Sequence, residues 1–150
     1  MTARIVSAVH AVGAVALACL SLFRLIDDHP VLLWSGTYFL IDSVVMVRGK
    51  KWIYVFHHGL ALIGMTLCIY DTYSIQLKLV SRMLLTEVST PLLNILEHPK
   101  DSRLFKGVFV LSRVIGIPIQ LCWVVYNYPE SRHLWVGALF WVANCAWYFQ

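Results

Sequence analysis

Seven side chains able to do chemistry lie within runs of apolar residues: His10, Asp42, His57, His58, Glu87, Arg113 and Asn144. An imidazole can serve as base or nucleophile. A guanidinium or an amide can polarise a carbonyl oxygen. Carboxylates can orient either kind of partner. Three readings follow. The groups could be an electrostatic staple, with Arg113 paired to Asp42 or Glu87 and a histidine bonded to the other. They could line a cavity that binds a lipid or an acyl chain, with or without chemistry. Three histidines and two carboxylates could also hold zinc or iron. However, His57 and His58 are adjacent rather than one helical turn apart, so no metal is expected.

The elements that position these groups must be membrane helices. Apolar residues make up 59% of the 150-residue chain and charged residues 13%, against about 45–50% and about 25% in soluble domains. Six apolar runs approach the length of about 17–25 residues that a bilayer core requires: Ile5–Phe23, Val31–Val47, Trp52–Tyr70, Ser74–Leu96, Phe105–Tyr128 and Leu134–Phe149. The second and sixth are short, and the fourth is polar for a span. The breaks are short and charged, and Trp52, Tyr54, Tyr70, Tyr73, Tyr126, Tyr128 and Trp135 sit near span ends, as an aromatic belt does. The expected architecture is an all-α membrane protein, a six-transmembrane-helix bundle forming one domain over residues 1–150.

Charge gives an orientation. Arg4, Arg48, Lys50, Lys51, Lys100, Arg103 and Lys106 fall on one side. Arg24 and Arg132 fall on the other, with Lys78 if it snorkels. The positive-inside rule then places both termini in the cytosol. The net charge of +4 is concentrated in these loops and forms no aromatic-interleaved basic stripe, so no nucleic-acid partner is expected. The first run ends in small residues as a signal peptide does, but His10 within it and the runs that follow favour a retained span. Cys19, Cys68, Cys122 and Cys145 lie in apolar runs without CxxC spacing, which predicts buried thiols.

At 1.5 Å rise per residue, the seven polar groups lie roughly 7–14 Å from the same end of their spans. Lipid cannot solvate them, so they are predicted to face the bundle interior in one layer. Steps of three and four residues extend each face. Asp42 leads to Tyr38 and Ser35, Glu87 to Thr90, Pro91 and Asn94, and Arg113 to Gly116 and Gln120. His57 leads to Ala61, Gly64 and Cys68, and His58 to Leu62, Met65 and Ile69. The small residues predict that His57 faces the cavity and His58 braces a neighbouring helix. Pro91 and Pro118 free the carbonyls of Glu87 and Val114 and should bend their helices near the cluster. Trp141, Trp147 and Tyr148 read as packing around Asn144. Lys78 and Arg82 read as snorkelling cations.

The same residues carry a family resemblance. The chain resembles the TLC-domain membrane proteins, which include the ceramide synthases, and is closest in type to the small members of that family. The resemblance runs nearly end to end. It rests on Val6-Ser7-Ala8-Val9-His10-Ala11, the stretch Gly36 to Asp42, the pair His57-His58, and Arg82 to Asn94 with Glu87-Val88-Ser89-Thr90-Pro91. Arg113 and Asn144-Cys145-Ala146-Trp147 complete it. Ceramide synthases follow the histidine pair with a further histidine and two aspartates; this chain has Met65, Thr66 and Ile69 there, so that acyl-transfer set is incomplete.

The resemblance and the polar layer together imply a multi-pass protein of the endoplasmic reticulum or another endomembrane. It would bind a membrane lipid or fatty acyl chain and affect membrane lipid composition. His10, Asp42, Glu87, Arg113 and Asn144 are the expected lipid-binding residues. The alternative is an acyl-CoA-dependent N-acyltransferase using His57 and His58, with acyl-CoA as substrate and Arg48, Lys50 and Lys51 attracting its phosphates. No cofactor is expected, and the reading admits a homo-oligomer. Polar groups above small residues (Val31, Ser35, Gly64, Cys68, Gly116) predict an acyl-sized cavity open at the basic end, with close helix contact as the competing outcome.

Overall fold

A computed structural model describes residues 2–70, 78–96, 99–129 and 133–149. Within it, α1 spans Thr2–Leu22, α2 Asp28–Arg48 and α3 Trp52–Tyr70. The fourth rod is broken: α4 (Leu79–Leu84) tightens into a 3-10 turn at Leu85–Ser89 and resumes as α5 (Thr90–Ile95). A short 3-10 turn, Pro99–Asp101, leads to the fifth rod. There α6 (Arg103–Phe109) widens into a π turn at Val110–Ile115 and continues as α7 (Gly116–Asn127). The sixth rod is α8 (His133–Phe149).

The protein is thus an all-α membrane protein. Arg4–Leu22, Asp28–Arg48, Trp52–Tyr70 and Arg103–Asn127 are each long and apolar enough to cross a bilayer, and Leu134–Tyr148 is a shorter apolar helix. Residues 74–77, where the fourth span was expected to begin, lie outside the described residues, as do Tyr73, Glu97 and Arg132. Large apolar side chains point outward without partners, Leu33 at 71% exposure and Ile119 at 61% among them. Water would penalise such a surface; lipid does not.

The rods close a ring. α1 packs on α2, α2 on α3, α3 on α8, α8 on the fifth rod, and the π turn on the 3-10 turn of the fourth rod, which returns to α1. Small residues set the α1 contacts: Ala11, Ala14 and Ala18 are fully buried. At Gly13 a Cβ would lie 2.8 Å from the Trp34 ring, so glycine lets α2 close on α1. The Trp34 indole N–H donates to the His10 carbonyl at 3.1 Å.

At the end away from Arg4, a second polar contact ties three rods. Asp28, only 1% exposed, accepts a hydrogen bond from Ser21 Oγ at 2.7 Å and another from Ser81 Oγ. Lys78, expected to snorkel, donates from Nζ to the Ile26 carbonyl at 3.3 Å. Replacing Asp28 with alanine strands two buried hydroxyls, a loss of about 1–3 kcal/mol each at most. Asp28→Ala is expected to lower the melting temperature in mild detergent clearly more than Asp28→Asn, which keeps an acceptor. Equal melting of the two would show the trio contributes nothing.

Candidate functional site

The site grows from two backbone irregularities. In an α-helix the Thr86 carbonyl would receive the Thr90 N–H. In the 3-10 turn that N–H goes to Glu87 instead, so the Thr86 carbonyl no longer receives the Thr90 N–H and accepts side-chain donors as well, the Ser89 hydroxyl at 3.4 Å among them. The π turn at 110–115 faces it, and its residue Arg113 fills the gap. Gly116 follows that turn: a Cβ there would lie 3.0 Å from the Leu111 carbonyl oxygen. It was expected to line a slot, but its small size instead accommodates the displaced carbonyl. The Val114 carbonyl freed by Pro118 is taken by the Trp141 indole N–H at 3.0 Å, a bonding role where the sequence suggested packing.

Arg113 is clamped by five acceptors. Nη1 donates to Asn144 Oδ1 at 2.7 Å. Nη2 donates to Glu87 Oε1 at 3.1 Å and Thr90 Oγ1 at 2.8 Å. Nε donates to Ser89 Oγ at 3.1 Å and the Thr86 carbonyl at 3.3 Å. The Thr90 hydroxyl donates to Glu87 Oε2 at 2.6 Å, and the Asn144 amide donates to the Phe140 carbonyl at 2.7 Å. Glu87, Arg113 and Asn144 are all buried. The ion pair is therefore with Glu87 and not with Asp42. The helical face pattern left out Ser89, though the family-like segment contained it, because a 3-10 turn repeats every three residues; Thr86 was missed because it contributes its backbone carbonyl.

Across the ring stand the histidines. His10 is 4% exposed. Its ring stacks on Tyr38 with centroids 3.8 Å apart, and its Nε2 has no hydrogen-bond partner among the described residues. His58 Nδ1 is 3.5 Å from Asp42 Oδ2, beyond a good hydrogen bond, and is likewise unpartnered. His57 lies against Phe140, 4.4 Å between centroids. His57 was expected to face the interior more than His58, but both line the same chamber. α3 sits between α2 and α8, so its inward face lies between the two histidines: His58 reaches toward α2 and His57 toward α8. His58 is the more buried of the pair.

These groups enclose a chamber of about 340 Å³, lined among others by His10, Asp42, His57, His58, Glu87 and Arg113. Its mouth carries Arg4, Lys51 and Pro99, so it opens at the basic end. A second, apolar cavity of about 100 Å³ adjoins it, lined by Ala61, Gly64, Met65, Cys68, Arg82 and Gln120 among others. Glu87 and Phe39 border both. Val31 and Ser35, expected on the slot, are instead closed into the packing between rods. Arg82 is not a free snorkelling cation; its guanidinium lies 3.7 Å from the centre of the Trp123 ring. No group of three metal-ligating side chains occurs among the described residues.

A family model, described as the TLC domain, matches residues 1–149. The chain belongs to the TLC-domain family. No curated protein matches it, and no solved structure does. The family's marks in this TLC-domain chain thus fall on one chamber: His10, Asp42, the histidine pair, Glu87, Arg113 and Asn144 all line it. The positions where this chain departs from the ceramide synthases do not. Met65 lines the apolar slot, while Thr66 and Ile69 are exposed on the outer surface.

Removing one partner of a buried ion pair costs about 3–5 kcal/mol. Arg113→Leu is expected to melt far below wild type in detergent. Arg113→Leu combined with Glu87→Leu should recover part of that loss. Strictly additive losses would show that Arg113 and Glu87 are not coupled.

Proposed function

We propose that this TLC-domain protein binds a membrane lipid or fatty acyl chain and thereby affects membrane lipid composition. One observation carries the reading: a polar chamber opening at the basic end is continuous in lining residues with an apolar slot, Glu87 and Phe39 bordering both. The chamber's volume falls within the about 300–1,000 Å³ typical of ligand sites. A head with hydrogen-bonding groups suits the chamber, and an apolar tail suits the slot. Glu87 would repel a tail if it were a free charge, but Arg113 and Thr90 satisfy both its oxygens.

A second reading is acyl transfer from acyl-CoA to a lipid amine, as in the sphingolipid-forming ceramide synthases. It is favoured by the nearness of Asp42 to His58, 3.5 Å, where a carboxylate could orient an imidazole base, and by Arg113 and Asn144 as polarising groups. The lipid-binding reading is preferred because Arg113 and the Asn144 oxygen are spent on one another. Both readings place the basic loops in the cytosol and the protein in an endomembrane, the endoplasmic reticulum first.

Two measurements test this. Lipid mass spectrometry of the protein purified in mild detergent is expected to find about one retained lipid per chain. Filling the slot with Ala61→Phe, or with Gly64→Leu, should remove it while the protein stays monodisperse. Retention in both plugged variants would sink the tail site. Release of a new amide product from acyl-CoA and a lipid amine, lost in His57→Ala and His58→Ala, would replace binding by transfer. For topology, a cysteine placed at position 50 should react with an impermeant reagent only from the cytosolic side; labelling from the other side alone would reverse the orientation.

A further inference from the structure

The chamber contains two kinds of polar group: those already satisfied and those that are not. Glu87, Arg113, Thr90 and Asn144 bond one another. Three groups around α2 are different. His10 Nε2 and His58 Nδ1 are buried without a hydrogen-bond partner among the described residues. Asp42 has only the distant His58 contact at 3.5 Å among the ion pairs described. Buried polar atoms normally find partners, so two orphans in one cavity point to a group that is meant to arrive. Asp42 adds a carboxylate to them, and all three residues line the chamber. The chamber's mouth adds Arg4 and Lys51, both exposed.

We infer that the chamber recognises a zwitterionic phospholipid head bearing a primary ammonium, its phosphate between Arg4 and Lys51 and its ammonium among Asp42, His10 and His58. The inference rests on the lipid-binding reading and names the head that reading leaves open. A primary ammonium carries three donors. The chamber offers a carboxylate and two imidazole nitrogens, each able to accept when its histidine is neutral and protonated on the other nitrogen. A quaternary ammonium has no N–H to offer them. It would also want an open aromatic face, and the Tyr38 ring is already stacked on His10. A lone phosphate would satisfy Arg4 and Lys51 but bring a second anion toward Asp42. A lipid amine without phosphate would leave both mouth cations unused.

The test uses the full chain, stripped of lipid and returned to neutral nanodiscs, with binding followed by native mass spectrometry. The probes are phosphatidylethanolamine, phosphatidylcholine, phosphatidic acid, a long-chain primary amine without phosphate, and acyl-CoA as a soluble source of phosphate. Phosphatidylethanolamine is expected to bind about tenfold or more tighter than each of the others, the worth of one charge-assisted hydrogen bond. Asp42→Asn should abolish its advantage over phosphatidic acid. Lys51→Glu should weaken every phosphate-bearing probe but leave the amine unaffected. Equal binding of phosphatidylcholine, or a preference untouched by Asp42→Asn, would overturn the inference while leaving lipid binding intact. Tighter binding of acyl-CoA would assign the mouth to a soluble phosphate and also overturn it. Failure of every probe to bind would overturn both.

Discussion

A guanidinium placed inside a membrane bundle must find partners or cost several kcal/mol, by even the lenient insertion estimate of about 2.5–3.5. Arg113 is in that position, and much of the architecture follows from meeting its need. Its acceptors come from the fourth rod and from α8, while Arg113 itself stands on the fifth. Lipid supplies no hydrophobic force to press helices together. A shared polar centre is thus a main reason that these three rods adjoin, and it helps to close the ring on the side where their helices are broken.

The breaks are part of the same solution. A regular α-helix offers no spare carbonyl, since each is used four residues on. Tightening one rod to a 3-10 turn takes the Thr90 N–H away from the Thr86 carbonyl and changes the direction in which that carbonyl points, and the π turn of the facing rod brings Arg113 to it. Pro91 and Gly116 each favour these departures, one by lacking an N–H, the other by lacking a side chain where the Leu111 carbonyl crowds in. Irregular backbone at membrane depth is tolerated where it lines a cavity or is buried in protein. Both irregularities here face the chamber.

This explains which features could be read from the sequence. Spans appear as apolar runs, and an ionisable residue inside one must face inward, so the rods and the polar layer were legible from composition and depth alone. The family's marks pointed to the same residues. Partners were harder. Arg113 could have met Asp42 or Glu87 by depth, and only ring order decides: the fourth and fifth rods adjoin, while Asp42 stands on α2 beside α3. Ser89 stood in the family-like segment Glu87 to Pro91, but the helical face pattern left it out because its face depends on a 3-10 repeat that a 3.6-residue pattern does not contain. Asp28 falls in the short charged break between the first two apolar runs, yet it is buried, held by the Ser21 and Ser81 hydroxyls of two other rods.

The two halves of the chamber thus differ in what they can still do. On the α4–α8 side, Arg113 and Thr90 have met acceptors, and the charge of Glu87 is cancelled where it borders both the chamber and the slot. That half is a finished wall past which an apolar chain can lie without meeting a naked charge. On the α1–α3 side, aromatic rings brace the imidazoles: His10 is stacked on Tyr38, and His58 lies tilted beside Phe39 with centroids 5.1 Å apart. Stacking orients a ring without using its nitrogens. A histidine held by a carboxylate at close range has already made its bond; one held by aromatic faces keeps that bond for something else. The aromatic bracing around His10 and His58 therefore does two things at once. It makes two polar rings tolerable in a membrane interior, and it leaves His10 Nε2 and His58 Nδ1, the latter 3.5 Å from Asp42, without partners among the described residues.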